Sequence, residues 1–346
     1  MFSIKDKKIS TEFPPYIIAE LSANHNGSLE KAKKSILAAK NAGADAIKIQ
    51  TYTPWTMTIN CKKEDFIVKD GLWKGYSLFE LYNEAHTPYE WHSELFSYAK
   101  NNDITIFSSP FDETAVDLLE DLNTPAYKIA SFELCDLPLI KYIAKKGKPI
   151  LMSTGMANIE EISEAVSTAR NSGCKDILLF HCISSYPAPL EETNLKNILI
   201  LKEKFQVEVG LSDHTIGNTA AVASIALGAS AIEKHFTLNR EDKGPDSSFS
   251  IEPEELKDLK QITSKTWKAI GKENFERSKK EKENKIFRRS LYFVKSIKKG
   301  NSITKDCIKR IRPGFGLAPK YELEVIGKKV KKDIEIGEPV KWEFIS

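Results

Sequence analysis

The sequence predicts a (β/α)8 barrel, a TIM barrel, followed by a small β-rich module, and three observations carry that prediction. Eight short apolar runs alternate with helical segments before residue 240. Each run turns polar at one end only, at Glu20, Lys48, Ser109, Lys128 with Ser131, Ser153, Ser184, Ser212 with His214, and His235. A barrel that builds its site on the C-terminal face of its strands requires that bias. Beyond residue 285 the pattern changes to short β-rich runs joined by Gly/Pro turns, including IRPGFGLAP and IEIGEPV. The expected organisation is a catalytic barrel over 1–270, a charged linker over 271–285 and a module over 286–346.

In chain order, Tyr16 to Ala19 is the first strand, and Ser28 caps a helix whose Leu29, Ala32, Ile36 and Ala39 keep helical spacing up to a stop at Gly43. AIKIQTY is the second strand, with Lys48 and Gln50 near its end. Residues 52–85 form a long insertion carrying Trp55, Trp73, Tyr76, Phe79 and Tyr82. At the C-terminal end of a strand such an insertion is a wall or lid of an active site, although aromatic side chains under a long loop more commonly form a satellite core. A helix around Trp91 to Ala99 precedes ITIFSSPFD, the third strand; AYKIAS, PILMST and DILLFHCISSYP supply the fourth to sixth. The seventh opens at Val207 to Val209 and stops at Ser212-Asp213-His214; the eighth opens at Ala229 to Ile232 and stops at Glu233-Lys234-His235. Lys257 to Ile270 closes the barrel as a helix, and 271–285, rich in charge and without apolar spacing, reads as the linker.

Composition narrows the function classes. The 346 residues are 41% hydrophobic and 29% charged, with no apolar run long enough for a membrane span and no apolar segment in the N-terminal MFSIKDKKIS. Five cysteines without metal-finger spacing suggest reduced thiols, hence a cytoplasmic protein. The net charge of +3 hides an asymmetry. From Lys285 onward there are 16 Lys and Arg against 7 Asp and Glu, which leaves 35 against 41 in the rest. The basic module carries no nucleic-acid motif, so neither nucleic acid nor membrane is an expected partner.

The chemistry is carried by the strand ends. His214 and His235 lie at matching positions of adjacent strands, each close to a carboxylate, and two imidazoles there can share one divalent ion while leaving positions open for substrate. A single histidine near a surface is usually only a hydrogen-bonded one; two at matching positions favour the metal. Lys48 and Lys128 are costly near a core unless paired, and with the neighbouring hydroxyls they suit a ligand bearing phosphate and carboxylate. The set fits the joining of a phosphorylated anionic donor to a carbonyl acceptor. The rivals are a Schiff-base aldolase acting through Lys48 or Lys128, which leaves the histidines without a metal role, and a non-catalytic sugar-binding barrel.

AELSANHNG (19–27), KIQTY (48–52), SSPFD (108–112), YKIASFE (127–133), STGMA (153–157), HCISSYP (181–187), GLSDHT (210–215), EKHFT (233–237) and GPD (244–246) together resemble the sialic acid synthase family. RRSLY (288–292), IRPGFGL (311–317) and the IGEPV turn resemble its C-terminal antifreeze-like (SAF) domain. The insertion, with TYTPWTMT (51–58) and GLWKGYSLFELYNEAHTPYEWH (71–92), is most similar to the pseudaminic acid synthase branch.

The resemblance implies a metal-assisted condensation of phosphoenolpyruvate with an amino-sugar aldehyde, giving a nine-carbon 2-keto acid and phosphate. For that branch the acceptor is 2,4-diacetamido-2,4,6-trideoxy-L-altrose and the product pseudaminic acid; N-acetylneuraminate and legionaminate synthases are the alternatives within the family. It implies a divalent ion, Mn2+ first, with Mg2+ or Co2+ also accepted, on His214 and His235. Phosphoenolpyruvate falls to Lys48, Ser109, Lys128, Ser131, Ser153, Ser184 and Ser212, where Ser184 replaces an Asn of the neuraminic-acid members. The sugar falls to Gln50, Glu133, Tyr186 and Asp246, with Arg312 of the SAF domain of a second subunit in a domain-swapped homodimer. Glu20 and Glu133 are the groups available for the water proton or the sugar hydroxyls.

Overall fold

The computed structural model describes residues 1–272 and 274–346. It divides into two compact units, Met1–Gly271 and Lys272–Ser346. In the first, eight parallel strands close into a barrel: β3 (Tyr16–Glu20), β4 (Ala46–Thr51), β5 (Thr105–Pro110), β6 (Tyr127–Ile129), β7 (Ile150–Ser153), β8 (Ile177–Cys182), β9 (Glu208–Asp213) and β10 (Ala231–His235), with β10 paired back onto β3. A hairpin of β1 (Phe2–Ile4) and β2 (Lys7–Ile9) precedes them.

The strands are apolar because both of their faces are covered, and their alternation sorts the side chains into two cores. Ile17, Ala19, Ile47, Ile49, Ile106, Ile129, Met152, Leu179, Leu211 and Ile232 point outward into one cluster beneath the helices. Tyr16, Ile18, Ala46, Phe107, Leu151, Leu178, Phe180 and Ala231 point inward into a second, and Phe2, Ile4 and Ile9 of the hairpin belong to it. The hairpin therefore plugs the end of the barrel where the strands begin. It is fastened there by Asp45, which pairs with Lys7 and Lys260 and accepts the Ile17 amide at 2.7 Å.

The surrounding helices are α1 (Leu29–Asn41), α2 (Pro54–Met57), α3 (Leu78–Ala85), α4 (Tyr89–Asn101), α5 (Glu113–Asp121), α6 (Leu137–Ala144), α7 (Ile159–Asn171), α8 (Asn197–Phe205), α9 (Thr219–Ala226) and α10 (Pro253–Ile270). Ser28 caps α1 as its sequence predicts, accepting the Lys31 amide. Helix α10 starts at Pro253, four residues before the expected Lys257, because Glu252 and Glu255 form a reciprocal cap around Pro at the first helical position. The insertion 52–85 contains α2 and α3. Among the described residues no helix is long and apolar enough to cross a membrane.

Part of the expected linker over 271–285 has structure of its own: Ser278 and Glu281 cap α11 (Lys279–Glu283), and a single 3-10 turn, Asn284–Phe287, follows. Glu273, inside that stretch, lies outside the described residues. The second unit further contains β11 (Ser290–Phe293) paired antiparallel with β12 (Ile308–Ile311), α12 (Glu322–Val325), and isolated bridges such as Ile297 with Ile334. Its own core gathers Leu291, Phe293, Ile303, Ile308, Val325, Val330, Val340 and Ile345. The Arg312 loop is exposed but fixed: the Ser290 hydroxyl donates to the Pro313 carbonyl at 2.7 Å and accepts the Gly316 amide at 3.0 Å. A Cβ at Gly316 would stand 2.2 Å from the Leu291 carbonyl oxygen, so only glycine lets the loop lie that close.

Candidate active site

The inward-facing positions of the strands change from apolar to polar along their length, and that change builds the site. On β4 the inward series is Ala46, Lys48, Gln50; on β7 Leu151, Ser153; on β8 Leu178, Phe180, Cys182; on β10 Ala231, Glu233, His235. The first member of each lies in the core and the last lines a cavity of about 340 Å³ at the C-terminal mouth. Of the residues singled out in the sequence, Glu20, Lys48, Gln50, Lys128, Ser131, Glu133, Ser153, Tyr186, Ser212, His214, His235 and Asp246 line this cavity. Ser109 stands just behind it, accepting from Lys48 Nζ at 3.2 Å. Ser184 is against Gly155: a Cβ there would come within 2.2 Å of Ser184 Oγ and 2.8 Å of Ser131 Oγ. Arg312 belongs to the second unit and is not among the lining residues.

The floor is a buried lattice of alternating charge. Lys48 Nζ lies 3.0 Å from Glu20 and 3.6 Å from Glu233, and Lys128 Nζ lies 3.5 Å from Glu233 and 2.6 Å from Ser153 Oγ. Gln50 donates to Glu20 at 3.1 Å, and Ser212 donates to Glu233 at 3.0 Å. Burial disfavours charge on every member, and the partners decide the outcome. Burial would depress Lys48, but Glu20 and Glu233 together hold it above the usual lysine range. Lys128, with Glu233 opposite and Lys48 nearby, is held below that range, chiefly by burial. Burial raises Glu20, whereas Glu233 overcomes the same penalty through Lys128 and Lys48 and stays low. Glu133 has no lysine in contact; burial pushes it to about 7, and its Oε2 has no hydrogen-bond partner among the described residues.

Beside the floor stand the histidines, with ring centroids 5.3 Å apart. His214 Nδ1 is engaged by the Ile183 carbonyl at 2.9 Å, and its Nε2 has no hydrogen-bond partner among the described residues. Burial and the neighbouring charges of His214 and Lys48 hold His235 well below the usual histidine range, so it is neutral, and its buried Nδ1 has no partner among the described residues. The Tyr186 ring covers both, 4.3 Å from His214 and 5.9 Å from His235. Of the two carboxylates near the histidines, Asp213 faces away: it accepts from Lys234 Nζ at 2.7 Å and from the Thr215 amide at 2.9 Å, fixing the turn that presents His214.

The NeuB family model matches residues 35–275, and the SAF domain model matches residues 288–346. The chain belongs to the NeuB family. Among curated relatives it is 48% identical over 336 residues to the pseudaminic acid synthase of Campylobacter jejuni, covering 97% of this chain and 96% of that protein. It is 46% identical over 333 residues to the pseudaminic acid synthase of Helicobacter pylori, covering 96% and 98%. Among solved structures, the N-acetylneuraminic acid synthetase of Leptospira borgpetersenii superposes with a TM-score of 0.74 at 31% identity, over 82% of this chain and 94% of that one.

For a NeuB-family barrel, the donor set fits a divalent ion with two protein ligands. Both imidazoles have a nitrogen without a protein partner among the described residues, and the neutrality of His235 suits a ligand. Among the described residues no cluster of three His, Cys, Asp or Glu side chains is close enough to hold an ion, so any further ligands would come from substrate or water. Glu233, Cys182 and Ser22 are among the lining residues that the sequence does not mark as site residues. Glu233 is two positions before His235 on β10, hence on the same inward face; the period of two was the signal available. Cys182 is inward on β8; burial would raise its thiol, but His214 and Lys128 outweigh that and bring it to about 7. Ser22, in a left-handed conformation with φ +45°, accepts from Gln50 at 3.0 Å, and nothing in its sequence neighbourhood announces that conformation.

Proposed function

We propose that the protein condenses phosphoenolpyruvate with 2,4-diacetamido-2,4,6-trideoxy-L-altrose and water, releasing phosphate and giving pseudaminic acid. The carrying observation is that two buried lysines and two histidines line one cavity in a chain 48% identical, over 97% of its length, to a pseudaminic acid synthase. Lys48 and Lys128, with Ser131, Ser153, Ser184 and Ser212, hold the donor's phosphate and carboxylate, and Ser109 orients Lys48. Gln50, Glu133, Tyr186 and Asp246 meet the acceptor. His214 and His235 hold a divalent ion, manganese first, which when bound would polarise the aldehyde oxygen.

In the reaction the methylene carbon of the donor attacks the aldehyde carbon, water adds to the resulting cationic carbon, and the tetrahedral intermediate expels phosphate by C–O cleavage. Lys48 and Lys128 stabilise charge on the donor as it moves, through positions fixed in advance by Glu20 and Glu233. Burial gives Glu20 and Glu133 raised affinities for a proton, which suits them to take one from the water or from a sugar hydroxyl. A Schiff-base aldolase acting through Lys48 or Lys128 would leave the histidine pair of the same cavity without a metal role, which disfavours that rival.

The working form is a homodimer in which the SAF module of one chain supplies Arg312 to the barrel of the other, and the enzyme acts in the cytoplasm. The deciding experiment is phosphate release from phosphoenolpyruvate with a panel of amino-sugar acceptors under Mn2+. Rapid release with the 6-deoxy diacetamido sugar and slow release with N-acetylmannosamine supports the reading; equal use of both removes the assignment of the acceptor. Reductive trapping of a lysine adduct by borohydride in the presence of substrate would overturn the mechanism.

A further inference from the structure

Helix α3 has an apolar stripe with no protein core to cover it. Its sequence, LFELYNEA, places Leu78, Leu81, Tyr82 and Ala85 at i, i+3, i+4 and i+7, on one face. In a barrel protein such a stripe normally packs on the strands, yet no residue of α3 is fully buried. All four members of the stripe instead line the mouth cavity that holds the lysines and histidines. Phe79, beside the stripe, is used differently: its ring meets Trp55 at 4.6 Å, and neither lines the cavity.

The wall is fixed rather than loose. Ser77 and Glu80 cap α3 reciprocally, and the Tyr82 ring meets Tyr52 edge-on at 5.8 Å. Earlier in the insertion, the Trp73 indole N–H donates to the Pro245 carbonyl at 3.2 Å, next to Asp246, and its ring stands 6.0 Å from Tyr186. The insertion is thereby tied to both loops that border the histidine pair.

We infer that the Leu78–Leu81–Tyr82–Ala85 face of α3 is the specificity wall for the acceptor and receives its deoxygenated, methyl-bearing end. This rests on the condensing function proposed above. The donor is a small polyanion that takes the charged floor, so the acceptor is the one reactant left to cover an apolar wall in the same cavity. A methyl group there meets a matching surface, whereas a hydroxymethyl group would lose its water to a wall whose one side-chain polar group is the Tyr82 hydroxyl.

The experiment measures kcat/KM by phosphate release for two acceptors that differ only at carbon 6, one carrying CH3 and one CH2OH, in wild type, Leu81→Asn, Leu81→Met and Asn83→Ala. Wild type favours the methyl sugar. Leu81→Asn reduces that preference by ~10-fold or more, mainly through acceptor KM, a size expected when one apolar contact is exchanged for a polar one. Its KM for phosphoenolpyruvate stays within about a factor of two, the donor lying outside the wall. Leu81→Met and Asn83→Ala keep the preference. If Leu81→Asn does not fold, Leu78→Ala reads the same ratio from the neighbouring turn of the stripe. An unchanged preference in a folded stripe variant overturns the inference, as does a change of oligomeric state without a change of preference, which would make the wall a surface for a second copy. Absence of phosphate release with either sugar in wild type would instead refute the function on which the inference rests.

Discussion

At the scale of single residues, the site works by withholding partners from some charges and supplying them to others. Glu133 has no cation in contact among the described residues, and burial has moved it to about 7. A folded-state value above the unfolded one means stability that is present below about pH 4.5 and lost as pH rises to about 7. Glu133→Gln should therefore gain stability over wild type between those values, by on the order of 2–3 kcal/mol at pH 8 and little at pH 4, read from denaturant midpoints at each pH. As an acceptor of sugar hydroxyls, the ionised form binds, so the KM for the acceptor should climb as pH falls below about 7 in wild type and stay flat in Glu133→Gln. The histidines make a separate prediction. His214→Ala or His235→Ala should lose calorimetrically measured Mn2+ binding while the far-ultraviolet circular dichroism spectrum is kept; Mn2+ binding unchanged in both would remove the metal role.

At the scale of elements, the strands were legible because their chemistry is graded, and the hairpin was not. Most barrel strands are apolar at their start and turn polar toward their end, so runs that close on Ser, Lys, Glu or His mark both topology and mouth. The hairpin offers three-residue strands, and KKI has two exposed lysines before a single buried isoleucine, too short for any period to register. Glu233 is hidden for a related reason: EKH reads as a stop signal, whereas the strand continues through it with Glu233 and His235 inward and Lys234 outward. Ser184 and Gly155 were legible as strand-end residues, but their mutual approach depends on two loops meeting and has no signature in either segment. The hairpin makes its own prediction. Ile4 is fully buried in the barrel interior, so Ile4→Ala should cost ~2–4 kcal/mol by denaturant unfolding. Because the plug sits where the strands begin and the site where they end, kcat/KM in the native enzyme should be unchanged; a large loss of activity without loss of stability would contradict that separation.

At the scale of the whole molecule, two units with separate cores share one chain, and the charge asymmetry divides between them. The proposed exchange of SAF modules is tested by complementation. An Arg312→Ala chain and a His235→Ala chain, each nearly inactive, are mixed and allowed to exchange subunits. A shared site regenerates one intact centre per heterodimer, and activity rises well above either parent. Heterodimers that stay at parental activity would mean that each module serves its own barrel.

The closure of the barrel has a consequence in time. Glu20 and His235 are register partners across the β3–β10 seam, so the first and last walls of the site are joined by residues made far apart during synthesis. At ~5–20 residues per second, β3 waits on the order of 10–40 s for its partner strand to leave the ribosome. Until then β3 and the most recently made strand both present unpaired edges, the kind of surface that recruits foreign strands. The charged lattice at the mouth is just as incomplete, since Glu233, which links Lys48 to Lys128, arrives on that same last strand. A nascent chain halted before residue 231 would thus carry two buried-position lysines without their shared carboxylate, and binding competence would appear in one step, when the seam closes.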